Sequence, residues 1–554
     1  MNKSLLLVLW GMVSALWGQN SILNTKHNLS VSGPGTLTST EETEVCIFCH
    51  ASHQGSAAAP LWNRSANTTT YTMYGSPSMT STSSQPGTVS RLCLSCHDGT
   101  VALGMVLNRV DPIAFPVGMD KIPPGYRSNL SDNLADDHPL HLSGHPNGAE
   151  LNCTGCHDSH GGPGMTSRPL ECTSCHDAHD DTWGHFLKVN PVQGGVCLLC
   201  HNKTNWTTSS HKTSNATWNG SGPDPWPYTD WTTTSDNACF NCHVPHGSSS
   251  QYWLLKSSAE EDNCLVCHNG NVAQNIQSDL MKASTHPVEN YTAIHTPDED
   301  PLTMVTHVEC TDCHNPHQVN DGSGAAPAIR GSERGVPGLD KNGSPVQPAV
   351  NEYEICLKCH DHDLPSIPTY VPRRDNTGSI RLDFAETNAS YHPVFGVGKN
   401  PDVPTLLSPW TENSIMYCTD CHSSDTGGTG SAPNGPHGSA YAPLLKKQLN
   451  FTDHQSENSS LYAACYDCHD RNMIVNKNGG SGFKEHRKHV VGEKAACTTC
   501  HDPHGSVNNT HLINFNTDYV SPNRDGELRW EDRGNHRGAC YLKCHGEDHH
   551  PESY

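Results

Sequence analysis

Apolar residues gather into one long run in this chain, Leu5 to Val13. A lysine precedes the run and small residues, Ala15 and Gly18, follow it, which predicts a secretory signal peptide over 1–18, cut before Gln19 or Leu16. It is too short to span a bilayer, no cysteine follows it for a lipid anchor, and no later run is long enough to cross a membrane. Beyond it, stretches rich in Ser, Thr, Gly and Pro predict a mostly irregular chain with short helices and few short strands. Gly99 to Leu107 reads as one short strand or helix.

Only 34% of the residues are hydrophobic and 6% aromatic, which is lower than in an ordinary globular chain. Something other than side chains must supply apolar surface, and the cysteines indicate what. All 26 fall into thirteen pairs, each followed directly by a histidine. Twelve triplets have the spacing Cys-x-x-Cys-His: Cys46, Cys49, His50; Cys93, Cys96, His97; Cys153, Cys156, His157; Cys172, Cys175, His176; Cys197, Cys200, His201; Cys239, Cys242, His243; Cys264, Cys267, His268; Cys310, Cys313, His314; Cys356, Cys359, His360; Cys418, Cys421, His422; Cys465, Cys468, His469; Cys497, Cys500, His501. The thirteenth, Cys540, Cys544 and His545, has three residues between its thiols, so its loop must bulge.

Disulfides would explain an even cysteine count and zinc would explain paired cysteines, but neither requires the following histidine. Covalent haem c requires all three: two thiols add to the two vinyl groups of one porphyrin and place the next side chain beneath the iron. One motif recurs about every 43 residues, a length too short for a conventional core, so porphyrins supply the apolar interior and folding depends on haem.

Enough histidines remain for every iron to take a second imidazole. Seven candidates follow a proximal histidine: His53, His160, His179, His246, His317, His437 and His504. Six lie upstream of a cluster: His27, His145, His211, His286, His392 and His489. His138, His141, His185, His295, His307, His454 and His486 are their rivals. His246 is too close to its own motif to reach the opposite face of that haem, which points it to a neighbour, the haem on His268. His27 and His53 are expected to serve the haems of His50 and His97. Met105 reads as a packing residue rather than a sulfur ligand, and Asp340 to Ser344 is a fragment of a calcium loop without its closing glutamate.

The motifs divide the chain into 19–110 (two haems), 111–204 (three), 205–275 (two), 276–375 (two), 376–480 (two) and 481–554 (two). Between motifs lie a polar linker carrying Trp206, Trp218, Trp226 and Trp231, an insertion from Gln318 to Glu352, and a surface excursion from Asp361 to Ser408. In the motif of His422 an insertion separates the proximal histidine from the Pro-His-Gly-Ser that elsewhere follows closely. A net charge of -23 argues against nucleic acid and anionic membrane surfaces as partners, and leaves redox proteins, metal ions and mineral surfaces.

The arrangement at His211 to His268, nearly repeated at His286 to His360, His392 to His469 and His489 to His545, resembles the doubled-CxxCH multihaem cytochromes c. The resemblance implies a haem-pair architecture and periplasmic or extracellular electron transfer, with the cell surface or extracellular space the favoured destination. Relatives include cytochromes that polymerise into filaments, and His27, His549 and His550 are the candidates for ligating a haem in the next subunit. The competing reading is a reductase of nitrite, hydroxylamine or a sulfur oxyanion. It needs one open iron, and no motif here replaces its proximal histidine with lysine.

Overall fold

The computed structural model describes residues 21–56, 61–65, 67–77, 79, 81–143, 169–226, 231–290, 302, 307–361, 370–427, 433–476 and 480–554. The leader over 1–18, the motif Cys153, Cys156 and His157, and His145, His160 and His295 lie outside them. Among the described residues the chain is mostly coil, with short helices, short strands and no closed barrel.

Most of the described helices are short, and the motif itself makes about half of them. The His50 N–H bonds the Cys46 carbonyl at 2.8 Å, and the same bond recurs at 3.0 Å between His176 and Cys172, His243 and Cys239, His314 and Cys310, and His501 and Cys497. One such turn sets thiols at i and i+3 on a common face. Caps reinforce it: the Glu171 N–H bonds Ser174 Oγ at 3.1 Å, and the Glu309 N–H bonds Asp312 Oδ2 at 2.8 Å. Where helix-forming sequence precedes the turn, it extends into Thr88–His97 and Glu352–His360, each ending on a proximal histidine.

The chain forms two compact units, 1–206 with 226–258, and 207–225 with 259–554. The first holds two small apolar clusters, one on Phe48, Val106 and Ile113 and one on Tyr71, Leu94 and Leu134. The boundary divides the 205–275 segment expected as one pair. The loop after His243 belongs to the first unit because the His138 N–H bonds the Pro245 carbonyl at 2.8 Å, and Tyr74 Oη donates to the Gln251 carbonyl at 2.8 Å.

In the second unit the largest cluster is Leu339, Tyr353, Leu357, Phe384, Val394, Phe395 and Met416. The two stretches that read as insertion and surface excursion therefore build a core. Their few apolar side chains are spread too far apart for any period to show. The strands Gly338–Leu339 and Pro345–Val346 make a hairpin, and Asp340 to Ser344 is its turn, with Asp340 Oδ1 accepting from the Asn342 and Ser344 N–H groups at 2.8 Å. At the C-terminus the strand Gly538–Cys544 pairs antiparallel with Val520–Ser521, Arg529–Asp532 and Glu547–Ser553 over a cluster of Ile513, Phe515, Val520 and Leu542.

Candidate haem centres

Behind several attachment turns the chain returns to fix the proximal ring. In five motifs the proximal histidine forms an isolated antiparallel bridge with an apolar residue downstream: His50 with Trp62, His176 with Leu187, His243 with Leu255, His422 with Leu445 and His501 with Ile513. The N–H of the residue after each apolar anchor bonds the carbonyl of the motif's second cysteine, at 2.8 Å for Lys446 to Cys421 and 3.0 Å for Lys188 to Cys175. The carbonyl two residues before the anchor accepts from the proximal Nδ1: His185 for His176 at 2.9 Å, Trp253 for His243 at 2.7 Å, Pro443 for His422 at 3.0 Å and His511 for His501 at 2.9 Å. A carbonyl only accepts, so Nδ1 carries the proton and Nε2 keeps its lone pair for a metal. Ser128 and Ser332 carbonyls hold His97 and His314 the same way, both at 2.7 Å.

Nine pairs of imidazoles face each other with ring centroids 6.0–6.4 Å apart: His27/His97, His50/His179, His138/His201, His176/His246, His211/His268, His286/His360, His314/His437, His422/His504 and His486/His501. Two iron–nitrogen bonds of about 2.0 Å, plus roughly 1.1 Å from nitrogen to centroid on each side, require about 6.2 Å. The residues present therefore fit a six-coordinate haem iron. His392 lies beside His469, where burial and the charge of His392 together lower the pKa to about 4. At His246 burial is outweighed by Asp137, which raises the pKa, but at other facing rings burial favours the neutral form. It lowers the pKa to about 4 at His138, His268, His360 and His422 and to about 3 at His437 and His486, and the opposed imidazole pushes the same way.

Several partners differ from the sequence expectation. His246 faces His176 rather than His268, because Asp137 Oδ1 holds its Nδ1 at 2.9 Å within the first unit, and His211 takes the place opposite His268. His53 is exposed, and His179 from 129 residues downstream faces His50. His489 packs on Phe483, with Nδ1 on the Glu485 carbonyl, while its rival His486 faces His501. His138, another rival, faces His201. His27 is used within its own chain. His317 directly follows Pro316, whose carbonyl accepts from His211 Nδ1 at 2.8 Å.

That last contact belongs to a recurring interlock. His27 Nδ1 bonds the Ala178 carbonyl at 3.0 Å, and the next residue, His179, faces His50. His286 bonds the Pro436 carbonyl at 2.8 Å, and the next residue, His437, faces His314. His392 bonds the Pro503 carbonyl, and the next residue, His504, faces His422. A histidine of one facing pair thus rests on the residue preceding a histidine of another pair.

The recurring Pro-His-Gly-Ser is built for this. Its Gly-Ser pairs as a two-residue strand with the residues ahead of the upstream histidine, Gly438 opposite Thr285 and Gly505 opposite Tyr391. A Cβ on Gly438 would sit 1.8 Å from the Asp279 carbonyl oxygen, and one on Gly505 2.0 Å from that of Asp383, so only glycine fits. The serine hydroxyl donates to the carbonyl of the apolar anchor, at 2.8 Å for Ser248 to Leu255, 2.6 Å for Ser439 to Leu445 and 2.7 Å for Ser506 to Ile513. At His422 the insertion lengthens the loop, yet Ser439 and Leu445 still close it.

Adjacent motifs touch through sulfur: Cys93 with Cys172 and Cys197 with Cys239 in the first unit, Cys356 with Cys418 and Cys465 with Cys497 in the second. Cys49 lies near Cys96, Cys421 near Cys468 and Cys500 near Cys544. Glu260, on the helix leading into the His268 motif, accepts from the Thr311 N–H at 2.8 Å inside the His314 motif. Within each unit the described motifs therefore neighbour one another largely in chain order.

The thirteenth site is different. Cys540 and Cys544 lie on the strand Gly538–Cys544, not on a helical turn, with a register shift between Cys540 and Leu542. The His545 and His454 rings are 5.0 Å apart, too close for an iron between them. His545 Nε2 is held at 2.5 Å by Asp453 Oδ2, a fully buried carboxylate. As they stand, these residues do not fit a haem; binding one there requires His545 to give up Asp453.

The attachment turns, facing rings and repeated motif pairs resemble those of multihaem c-type cytochromes with doubled CxxCH motifs, and they support covalent haem c. Residues 233–273 match the family model for the doubled CXXCH motif, and residues 340–512 match that for outer membrane cytochrome MtrC/MtrF-like domains II/IV. The chain is also similar to the multiheme cytochrome MtrA of Shewanella baltica (strain OS185), with 26% identity over 185 residues, which is 33% of this chain and 37% of that protein. Among the described residues no helix is long and apolar enough to cross a membrane.

Proposed function

We propose that the chain is an exported electron conduit in which about a dozen haems c, nearly all ligated by two histidines, form a file between periplasmic donors and an acceptor outside the cell. The nine facing imidazole pairs at 6.0–6.4 Å carry this reading. The facing residues are the proposed axial ligands, with His392 proposed opposite His469. Cys153, Cys156 and His157 are proposed to hold a further haem, with His145 and His160 among the axial candidates. A bound haem supplies a one-electron Fe(III)/Fe(II) couple. The facing histidines would hold the iron from both sides and close it to substrate, their Nδ1 bonds keep the rings from turning, and the cysteine contacts bring neighbouring motifs side by side. Redox proteins are the proposed partners, and the outer-membrane cytochrome likeness over 340–512 supports an acceptor at or beyond the cell surface.

The test combines a haem count by mass spectrometry with electron paramagnetic resonance of the oxidised protein. The conduit requires about a dozen or more covalent haems, all low-spin. A stoichiometric high-spin ferric signal with nitrite or hydroxylamine turnover would instead establish the reductase reading. Electron microscopy of secreted material distinguishes a filament, with haems continuous across subunits, from separate molecules.

A further inference from the structure

Arg64 is 1% exposed, and among the described residues it has no carboxylate partner. Nη1 donates to the Leu103 carbonyl at 2.8 Å, Nη2 to the Ser95 and Ala102 carbonyls at 3.1 and 3.0 Å, and Nε has no partner. Other deeply placed cations near attachment cysteines are neutralised: Lys358 by Asp312 at 2.5 Å, Arg373 by Asp502 at 3.2 Å. Arg64 is also wedged between two centres. The N–H of Asn63, the residue before it, bonds the Cys49 carbonyl of the His50 motif at 2.9 Å, while Ser95, which it binds directly, lies inside the His97 motif.

The two centres do not feel this cation equally. Beside Cys96 stands Asp98, 4% exposed, whose Oδ2 accepts from Asn67 Nδ2 at 2.7 Å and Tyr71 Oη at 2.8 Å. The residue in the corresponding place after His50 is Ala51, 5% exposed and uncharged. Reduction of a haem adds one negative charge, so a buried cation stabilises the reduced form, and it acts most strongly where no anion offsets it.

We infer that Arg64 gives direction to the conduit, raising the reduction potential of the His50 haem most and that of the His97 haem less, so that electrons collect at the N-terminal centre. In the elementary step the His97 iron is oxidised from Fe(II) to Fe(III) as the His50 iron is reduced from Fe(III) to Fe(II), with no other reactant. The inference rests on the reading that both motifs carry haem, and peptide mass spectrometry of those two motifs tests that reading separately.

The experiment is a potentiometric titration of the full-length holoprotein, followed optically, for wild type, Arg64→Met, Arg64→Lys and Asp98→Asn, each with its haem count. In wild type the first component to reduce should have the amplitude of one haem. Arg64→Met should move that component down into the bulk of the titration, Arg64→Lys should retain it, and Asp98→Asn should bring a second haem up to join it. If Arg64→Met loses haem, the lysine and Asp98→Asn variants still decide. An unchanged first component in Arg64→Met at full haem count, an equal fall in Arg64→Lys, or no response to Asp98→Asn overturns the inference.

Discussion

A histidine that donates Nδ1–H to a main-chain carbonyl has its tautomer and ring orientation fixed before any metal arrives, and most centres here are built that way. The attachment cysteines and proximal histidines were legible in the sequence because three chemically necessary residues stand within five positions. Which imidazoles face each other was only partly legible, since His179 rather than His53 opposing His50, and His486 rather than His489 opposing His501, depends on contacts between separate parts of the chain. This choice is open to test. His179→Ala and His486→Ala should each convert one low-spin ferric haem to high-spin in the resonance spectrum, whereas His53→Ala and His489→Ala should leave every haem low-spin. A high-spin signal from the His53 or His489 variant would refute the pairing. At the thirteenth site, Asp453→Asn removes the carboxylate that occupies His545 Nε2. If that contact excludes haem, mass spectrometry should find the peptide spanning Cys540 and Cys544 without haem in wild type.

At the scale of the element, the repeating device is an attachment turn plus a return loop closed by one apolar residue and one serine. Pro-His-Gly-Ser stood out by recurrence, but the anchors Trp62, Leu187, Leu255, Leu445 and Ile513 did not, because one apolar residue in a coil makes no period. Burying Leu445 at 5% exposure closes the longest of these loops, so Leu445→Ala should lower unfolding stability by about 2–4 kcal/mol. Ser506 is 1% exposed, and Ser506→Ala leaves the Ile513 carbonyl without its hydroxyl donor, at about 1–2 kcal/mol. Denaturant titration of the holoprotein measures both. Gly505→Ala should do more than lower stability: by pushing the strand off Asp383 it should dislodge His504 and produce a high-spin haem.

For the whole molecule, the sequence indicated a chain of irregular backbone packed around haem, and small separate apolar clusters with little regular structure are what the fold contains. The boundary of the two units was not legible, since it depends on one loop packing backward through Pro245 and His246. So many neutral buried imidazoles make the fold sensitive to acid. Rings such as His138, His422 and His437 take up a proton near 6.5 in the unfolded chain but only at about 4, 4 and 3 when folded. Between these values the unfolded state binds more protons, so stability is fully present above pH 6.5 and falls as the pH drops toward 4. Unfolding followed by circular dichroism should show this decline, and a flat profile from pH 7 to 4 would contradict it.

The interlock of His27 on Ala178, His286 on Pro436 and His392 on Pro503 also constrains how a molecule of this kind can change its length. Because each upstream histidine is braced by the dipeptide that supplies a histidine of another facing pair, excising one pair would strip its neighbour of either a ring or that ring's support. Viable deletions and duplications should therefore come in multiples of two irons, so that conduits of this construction lengthen by steps rather than by single links.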